Sequence, residues 1–378
     1  MPTTLTGRRL HTADGVIDHP VISIDSAGLI ASIHSDPANR SEAILTPTFF
    51  DIHTHGAAHY DVMHASPAEF GIISQFLASK GVGHYLPTTV TASISQTLHS
   101  LEALANAIEA HHAPDQAHPI GIHLEGPFIS HAKRGVHPAA DIIPPDIFLL
   151  DRFHQAARGH ICLITIAPEM PGAIAAIEYA TALGIKVSIG HTNATSEEAD
   201  AAIEAGATSA THTFNAMRGL DHRDPGVAAT VLGDDRLFAE LICDGIHVAP
   251  EMVRLWLKAK GPDKAILVTD SMSATGMADG TYTLGTFQVE VANGRALSNG
   301  SLAGSVLTMD RAVANLQRFT GTSLGTAVRL ASHNPAKLLG LEDTIANPTP
   351  SQPADFNIFN EAGDLQSTML NGILSTSL

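Results

Sequence analysis

Eight short apolar runs that alternate with helix-like segments constrain the fold of this chain more than any other feature. Most runs are separated by stretches whose apolar residues recur every three to four positions, which is helical spacing. A strand–helix unit repeated eight times over roughly 250 residues is the pattern of a (β/α)8 barrel. We therefore predict an α/β fold of the TIM-barrel type. The strands are expected at 48–53, 82–88, 120–124, 161–166, 185–190, 208–212, 238–243 and 265–269, and helices at 69–80, 94–110, 173–183, 196–205 and 251–260.

Both ends of the chain have β character outside this alternation. Val21–Ile24 and Leu29–Ile33 resemble short strands, and Asp355–Phe359 returns to the same pattern near the C-terminus. We predict a small β-sandwich domain formed by 1–46 together with 343–378, beside a barrel formed by 47–342. A hairpin insertion is expected after the eighth strand, around 282–291, followed by helices at 304–319 and 324–332.

Composition excludes several classes of protein. Hydrophobic residues make up 44% and charged residues 16%, which favours a large buried core over a disordered chain. The net charge of −17 argues against nucleic acid or an anionic membrane as a partner. The N-terminal segment lacks an apolar signal sequence, and no run is long enough to span a membrane. With two cysteines, interpreted as buried free thiols, we expect a cytoplasmic location.

Polar residues follow most of the predicted strands. In a barrel of this type the active site forms at the C-terminal ends of the strands, so residues distant in sequence meet there. Histidine nitrogens and carboxylate oxygens suit Zn²⁺ or another divalent ion, and a neighbouring carboxylate can act as a general base. The residues in question are His53, His55, Glu125, His191, His212, Asp244, His247 and Asp270.

Each of these residues also has a structural interpretation. In a chain with 22 histidines, the His53–His55 pair alone is more typical of a histidine-rich loop than of a metal site. Asp270 alone is equally consistent with an N-cap of a following helix. It is their common position at predicted strand ends that favours a metal-dependent catalytic site.

Nine segments of the chain resemble the N-acetylglucosamine-6-phosphate deacetylases of the amidohydrolase superfamily. They extend from the first barrel strand to the last helices, and together they are more specific than a generic HxH…Asp pattern. The segments are FDIHTHG (50–56), GIHLEGPFIS (121–130), RGVHP (134–138), SIGHTNA (188–194), THTFNAM (211–217), HRDPG (222–226), CDGIHV (243–248), VTDSMSATG (268–276) and SHNPAKLLG (332–340).

The resemblance implies a metal-dependent hydrolase. Glu125, His191 and His212 match the ligands of the principal ion, while His53 and His55 match a pair that supports a second ion in some members. One or two ions per subunit are therefore expected, with Glu125 as the bridging carboxylate. Zinc is the preferred metal, and iron, cobalt and manganese are the alternatives.

The same resemblance implies how an amino-sugar phosphate would be bound and cleaved. Asp270 matches the catalytic acid/base, and His137 matches the residue that contacts the acetamide carbonyl. The positions that match phosphate contacts are Asn215, Ala216, Arg223 and His247. In the family the arginine comes from a neighbouring subunit, which implies a homodimer. Taken alone, Arg223 is equally typical of a solvated loop. His247 also has an alternative interpretation, less favoured than phosphate binding, as a cap on the helix near Pro250.

The expected reaction is deacetylation of N-acetyl-D-glucosamine 6-phosphate in amino-sugar catabolism. Two rival hypotheses remain at this point. One is a different amidohydrolase activity, such as a cyclic amidase, an aminohydrolase or a deacetylase of a related amino sugar. The other is a non-catalytic metal-binding scaffold that kept the barrel.

Overall fold

A computed structural model describes residues 3–110 and 112–375, and its central feature is the predicted barrel of eight parallel strands. Residues 1–2 and 376–378 of the predicted small domain lie outside the described residues. Each barrel strand pairs in parallel with the next one along the chain. The barrel strands are Phe49–Thr54, Val82–Thr89, Ile122–Glu125, Ile161–Ile166, Lys186–Ile189, Ala207–Ala210, Phe238–Ile242 and Ala265–Val268.

Helices follow the strands and pack outside them, which confirms the predicted TIM-barrel fold. Capping residues define several helix starts: Ser66 and Glu69 form a capping box at the first helix, and Thr195 and Glu198 form one at the fifth. The eight barrel helices are Pro67–Ser79, Ile94–Glu109, Ile147–Ala156, Ala173–Ala182, Ser196–Glu204, Gly226–Gly233, Pro250–Lys260 and Met309–Thr320. Three more follow at Leu324–Ala331, His333–Leu339 and Glu342–Ile345.

The barrel closes between its first and last strands through the residues that carry the predicted chemistry. Thr54 and Ser271 form a parallel bridge, and the backbone N–H of Asp270 donates to the carbonyl of His53 at 2.9 Å. The N–H of Ser305 in turn donates to the carbonyl of Asp270. This bond holds residues near 305 against the barrel mouth, so the helix predicted to begin at 304 begins at Met309 instead.

The two chain ends share small β-sheets, as predicted. Phe356–Phe359 pairs antiparallel with Ile44–Pro47, and Arg9–Thr12 pairs parallel with the other edge of Ile44–Pro47. A separate buried cluster, including Leu10 and Phe356, lies between the sheets. The division into 1–46 with 343–378 and 47–342 stays a prediction. The sheets comprise Thr3–Thr6, Pro20–Ile24 and Ile30–Ser35 in one, and Arg9–Thr12, Gly15–Asp18, Ile44–Pro47, Phe356–Phe359, Leu365–Leu370 and Ile373–Leu374 in the other.

The insertion after the eighth barrel strand is a four-stranded antiparallel sheet rather than one hairpin. Its apolar face packs on the barrel mouth in a cluster that includes Val90, Met272 and Leu284. The insertion therefore forms one wall above the strand ends. Its strands are Gly280–Leu284, Phe287–Ala292, Arg295–Ser298 and Ser301–Leu302. Two further short strands, Gly56–Ala57 and Tyr60–Asp61, form a hairpin beside it. The short strand His118–Pro119 pairs in parallel with the second barrel strand.

Among the described residues, no helix is both long and apolar enough to cross a membrane.

Gly81 joins the first barrel helix to the second strand at a crowded position. Its φ is +86°, and a Cβ there would lie 2.6 Å from the Phe49 ring and 2.9 Å from Asn357 Nδ2. Gly184 occupies the same place after the fourth barrel helix, with φ +82°, but a Cβ added to it would meet no atom of the described residues within 4 Å. The two glycines therefore separate backbone strain from steric crowding.

We expect Gly81→Ala to destabilise the protein more than Gly184→Ala. The left-handed backbone alone costs an L-residue about 1–2 kcal/mol, which both variants share. Overpacking adds about 1–3 kcal/mol at Gly81 only, because the ring of Phe49 must move. Chemical denaturation of both variants measures the difference. Equal losses of unfolding free energy would show that the contact between barrel and small sheet is not tightly packed there.

Candidate active site

Most of the predicted site residues converge on one cavity of about 180 Å³ at the C-terminal mouth of the barrel, whereas Asp244 lines a neighbouring groove. A larger, more open groove of about 800 Å³ beside Lys80 and Arg311 contains no histidine among its described lining residues, so the chemistry belongs to the smaller cavity. His53 lies buried beside the smaller cavity rather than on its wall, and Arg223 does not line it. The lining residues are His55, Val90, Glu125, Gly135, Val136, His137, His191, His212, Asn215, Ala216, His247, Asp270, Leu284, Leu302 and Gly304.

Glu125, His191 and His212 form a buried group with the geometry of a metal site. Glu125 Oε1 lies 3.3 Å from His191 Nε2 and 3.2 Å from His212 Nε2, and the two nitrogens are 3.2 Å apart. Ligands held about 2.0–2.1 Å from a tetrahedral ion are separated by about 3.3 Å. Three ligand atoms with this mutual spacing fit a divalent cation.

The outer ring nitrogens also favour metal binding. His191 Nδ1 lies 3.0 Å from the carbonyl of Lys133, and His55 Nδ1 lies 2.9 Å from the carbonyl of Thr88. Because a carbonyl only accepts, each Nδ1 must carry a hydrogen, so in the neutral ring the lone pair is on Nε2. These lone pairs point into the site, as a metal ligand requires.

His53, His55 and Asp270 form a second group of potential ligands next to the first. His55 Nε2 lies 3.1 Å from Asp270 Oδ1 and 3.3 Å from His53 Nε2. Glu125 faces both groups, with Oε2 3.4 Å from His55 Nε2 and Oε1 3.5 Å from His53 Nε2. One carboxylate between two ligand groups is the arrangement expected of a bridging ligand. The structure thus contains two buried triads that could each bind a metal ion.

Burial and the facing charges set the ionisation of the two site carboxylates. Burial opposes their ionisation, but the neighbouring imidazoles, His53 foremost, hold the pKa of Glu125 well below its ordinary range. The same competition lowers the pKa of Asp270 to about 2. Both side chains are therefore anionic at neutral pH, as a metal ligand and a general base must be.

The pKa values of His137 and His53 are shifted in opposite directions. Burial lowers the pKa of His137 to about 3, and the nearby His191 adds to the effect, so this ring is neutral. Burial also disfavours charge on His53, but Glu125 and Asp270 outweigh it and raise the pKa of His53 well above its ordinary value. A proton thus competes with a cation for His53 Nε2, the nitrogen that faces Glu125 and Asp270.

Asp270 does not cap a helix. Its φ is +50°, and the next helix among the described residues begins at Met309. The backbone of Asp270 is instead held on both sides, by the carbonyl of His53 and the N–H of Ser305. This conformation directs the carboxylate toward His55 and the cavity.

The residues predicted to contact phosphate divide into two groups. Asn215, Ala216 and His247 line the cavity, whereas Arg223 is exposed on a loop, where its backbone N–H donates to Asp221. His247 Nδ1 lies 2.6 Å from Asp244 Oδ2. Burial opposes protonation of His247, but this contact outweighs it and raises the ring's pKa. His247 does not cap the helix at Pro250–Lys260, which has no side-chain cap.

Two buried carboxylates next to the metal triads were missed by sequence reasoning. Glu240, fully buried, lies 3.4 Å from His53 Nδ1, and Asp51 accepts a hydrogen bond from Thr269 Oγ1 at 2.5 Å. Burial raises the pKa of Asp51 to about 6. Both interrupt otherwise apolar strands, FFDIH and FAELI, which was the signal that would have revealed them.

Comparisons with known proteins agree with this geometry. The model of the amidohydrolase family matches residues 44–374. The chain is 34% identical to the N-acetylgalactosamine-6-phosphate deacetylase of Escherichia coli O157:H7 over 100% of both chains. It is 38% identical to the N-acetylglucosamine-6-phosphate deacetylase of Bacillus subtilis, over 88% of this chain and 84% of the relative.

Solved structures are similar along the whole chain. The N-acetyl-D-glucosamine-6-phosphate deacetylase of Mycobacterium smegmatis, as a mutant in complex with N-acetyl-D-glucosamine-6-phosphate, superposes with a TM-score of 0.93 at 32% identity, over 100% of both chains. The N-acetylglucosamine-6-phosphate deacetylase of Thermotoga maritima gives 0.90 at 32% identity, also over 100% of both.

We expect removal of divalent metal to lower the melting temperature and re-addition to restore it. A cation that binds only the folded state at a thousandfold excess over its Kd adds about 4 kcal/mol of stability. His212→Gln should lose this metal-dependent gain, because it removes one of three ligand atoms. His222→Gln is the matched control, since the side chain of His222 is 78% exposed and belongs to neither group of potential metal ligands. Identical melting curves for chelated and metal-replete wild type would contradict the assignment.

Proposed function

The chain belongs to the amidohydrolase family, in the group of the N-acetylglucosamine-6-phosphate deacetylases, and we propose that it hydrolyses N-acetyl-D-glucosamine 6-phosphate to D-glucosamine 6-phosphate and acetate. The observation that carries the proposal is the buried Glu125 carboxylate between two histidine groups, with Asp270 and His137 beside it in the same cavity. This set contains a metal site, a base and a hydrogen-bond donor, which are the groups that amide hydrolysis needs.

The donor set fits one or two divalent cations. Glu125, His191 and His212 would hold the principal ion, and His53 and His55 would support a second one with Glu125 as the bridge. A divalent ion there would supply Lewis acidity that polarises the amide carbonyl and makes water more acidic. Imidazole and carboxylate ligands favour zinc, with iron, cobalt and manganese as alternatives.

Asp270 acts as general base and then as general acid. Its carboxylate is ionised at neutral pH and faces the cavity, so it accepts a proton from the attacking water. It then returns that proton to the amine nitrogen as the C–N bond breaks, which releases acetate and leaves D-glucosamine 6-phosphate. One side chain at one position thus serves both proton transfers.

His137 stabilises the charge that develops on the acetamide oxygen. The ring is 3% exposed, and its Nε2 lies 3.8 Å from Glu125 Oε2, at the edge of the cavity. A neutral imidazole donating from Nε2 would provide an oxyanion contact from a side chain that is itself buried.

The phosphate would be bound on the side of Asn215, Ala216 and His247. His247 supplies positive charge because Asp244 favours its protonated form, and the backbone at 215–216 supplies polar contacts. Charge-assisted donors bind phosphate most strongly, and in a protein of net charge −17 such donors must be supplied locally, so a second cation beside His247 would strengthen binding. We assign that role to Arg223 of a second copy, because the Arg223 of the same chain does not line the cavity. The active form is then a homodimer, and we assign it to the cytoplasm.

Deacetylation of N-acetyl-D-galactosamine 6-phosphate is the second candidate. The full-length match to a deacetylase of that substrate favours it specifically. The two sugars differ only in the configuration of one hydroxyl, which leaves the acetamide and phosphate contacts the same.

Acetate release from four substrates tests the function. We expect fast release from N-acetyl-D-glucosamine 6-phosphate and slow release from the unphosphorylated sugar, because each lost charged contact costs about 1.5–3 kcal/mol. The two galactosamine analogues measure the choice of epimer. Equal rates with and without phosphate would favour another amidohydrolase activity, and no acetate from metal-replete protein would refute deacetylation.

Mixed dimers test the shared site. Asp270→Asn should lower kcat by roughly 10²–10⁴-fold, because it removes the proton carrier. Arg223→Ala should lower kcat/KM about 10- to 100-fold by weakening phosphate binding.

Co-expression of the two variants with different tags yields dimers that carry one of each. Their Arg223→Ala subunit retains Asp270 and receives Arg223 from the other subunit, so about half of wild-type activity should return. Wild type paired with Asp270→Asn is the control for a dimer with one working site. If the mixed dimers are no more active than the two parents, the arginine is not supplied across the interface.

A further inference from the structure

We propose that Thr91 is a positioning residue that fixes His137 in the tautomer with its hydrogen on Nε2. The inference deepens the proposed function and rests on it, because it concerns how His137 comes to donate toward the acetamide oxygen. Thr91 itself lies outside the lining of the cavity and belongs to neither ligand triad.

The position of Thr91 follows from the barrel. It comes two residues after the second barrel strand, Val82–Thr89, and is 2% exposed. The loop after Glu125 packs directly on it, since a Cβ at Gly126 would lie 2.0 Å from Thr91 Oγ1. The hydroxyl of Thr91 is therefore confined to a narrow space between the second and third strands.

Two groups of Thr91 contact the same ring nitrogen. The backbone N–H of Thr91 donates to His137 Nδ1 at 3.2 Å, and Thr91 Oγ1 lies 2.8 Å from that nitrogen. A backbone N–H is only ever a donor, so this contact favours the tautomer in which Nδ1 presents its lone pair. The hydroxyl is the closer of the two groups, and it donates to the same lone pair. The two donors together place the hydrogen of the neutral ring on Nε2.

The backbone of His137 is fixed by separate contacts. Its N–H donates to the carbonyl of Arg134 at 3.1 Å, and Arg134 Nη1 donates to the carbonyl of His137 at 3.1 Å. The ring is therefore held from two sides, and Thr91 determines which nitrogen bears the hydrogen.

The tautomer of His137 decides whether its contact with the acetamide oxygen is attractive or repulsive. With the hydrogen on Nε2, His137 presents a donor toward the cavity, where a carbonyl oxygen gains negative charge. In the opposite tautomer Nε2 would present a lone pair to that oxygen, and the contact would be repulsive. Thr91 thus supports the transition state without touching the substrate.

Two substitutions at Thr91 separate hydrogen bonding from packing. Thr91→Val keeps the shape and the backbone N–H but removes the hydroxyl donor, so we expect kcat to fall about tenfold while KM stays within about twofold. Thr91→Ser keeps the donor and should recover kcat to within about threefold of wild type. Unchanged metal content and melting temperature in both variants confirm that the fold and ligands are intact. Equal loss in Thr91→Val and Thr91→Ser would overturn the proposal.

A double-mutant cycle tests whether Thr91 acts through His137. In a His137→Ala background, Thr91→Val should cause no further loss of kcat, because there is no ring left to position. Losses that multiply in the double variant would assign Thr91 an independent role and contradict the inference.

Nuclear magnetic resonance of zinc-loaded, ¹⁵N-histidine-labelled protein gives a readout that does not depend on activity. The His137 signals are those missing from the His137→Ala spectrum, and they should show hydrogen on Nε2 and an unprotonated Nδ1. Thr91→Val should shift the ring toward the other tautomer. Hydrogen on Nδ1 in the wild type would overturn the role of Thr91 even if deacetylation is observed. The expected tautomer without acetate release would instead refute only the proposed function.

Discussion

A single buried carboxylate, that of Glu125, organises the functional end of this molecule. Within the described part of the chain, five imidazole rings have a nitrogen within 3.8 Å of its oxygens, namely those of His53, His55, His137, His191 and His212. A buried carboxylate is costly unless it is paired, and a divalent cation compensates it more fully than neutral imidazoles do. The constraint explains why polar side chains occupy strand ends that are otherwise apolar.

The rest of the barrel mouth serves to hold these ligands in place. Barrel closure between His53 and Asp270 places the base next to the first strand, and Ser305 fixes the segment after it. The backbone carbonyls of Thr88 and Lys133 fix a hydrogen on Nδ1 of His55 and of His191, respectively. Such outer contacts orient metal ligands and determine their tautomers. Function therefore also depends on residues such as Thr88, Lys133 and Ser305, which bind no metal themselves but hold the ligands in position.

The sequence predicts what depends on local pattern. Apolar runs located the eight strands to within a few residues, and the polar residues that end them identified Glu125, His191 and His212. Contacts between distant segments were not predictable in the same way. The role of Thr91 depends on its contact with His137, and that of Glu240 on its contact with His53. The start of the helix at Met309 depends on the bond that holds the preceding segment to Asp270. The exposed position of Arg223 likewise required the fold.

The most direct test of the account is anomalous diffraction at a metal absorption edge from crystals of active protein, since the central claim is that Glu125 holds a divalent ion. The account predicts an ion bonded to Glu125, His191 and His212 at about 2.0–2.2 Å. A second anomalous peak beside His53 and His55 would identify Glu125 as a bridge. Active crystals with no anomalous peak within bonding distance of Glu125 would contradict the account.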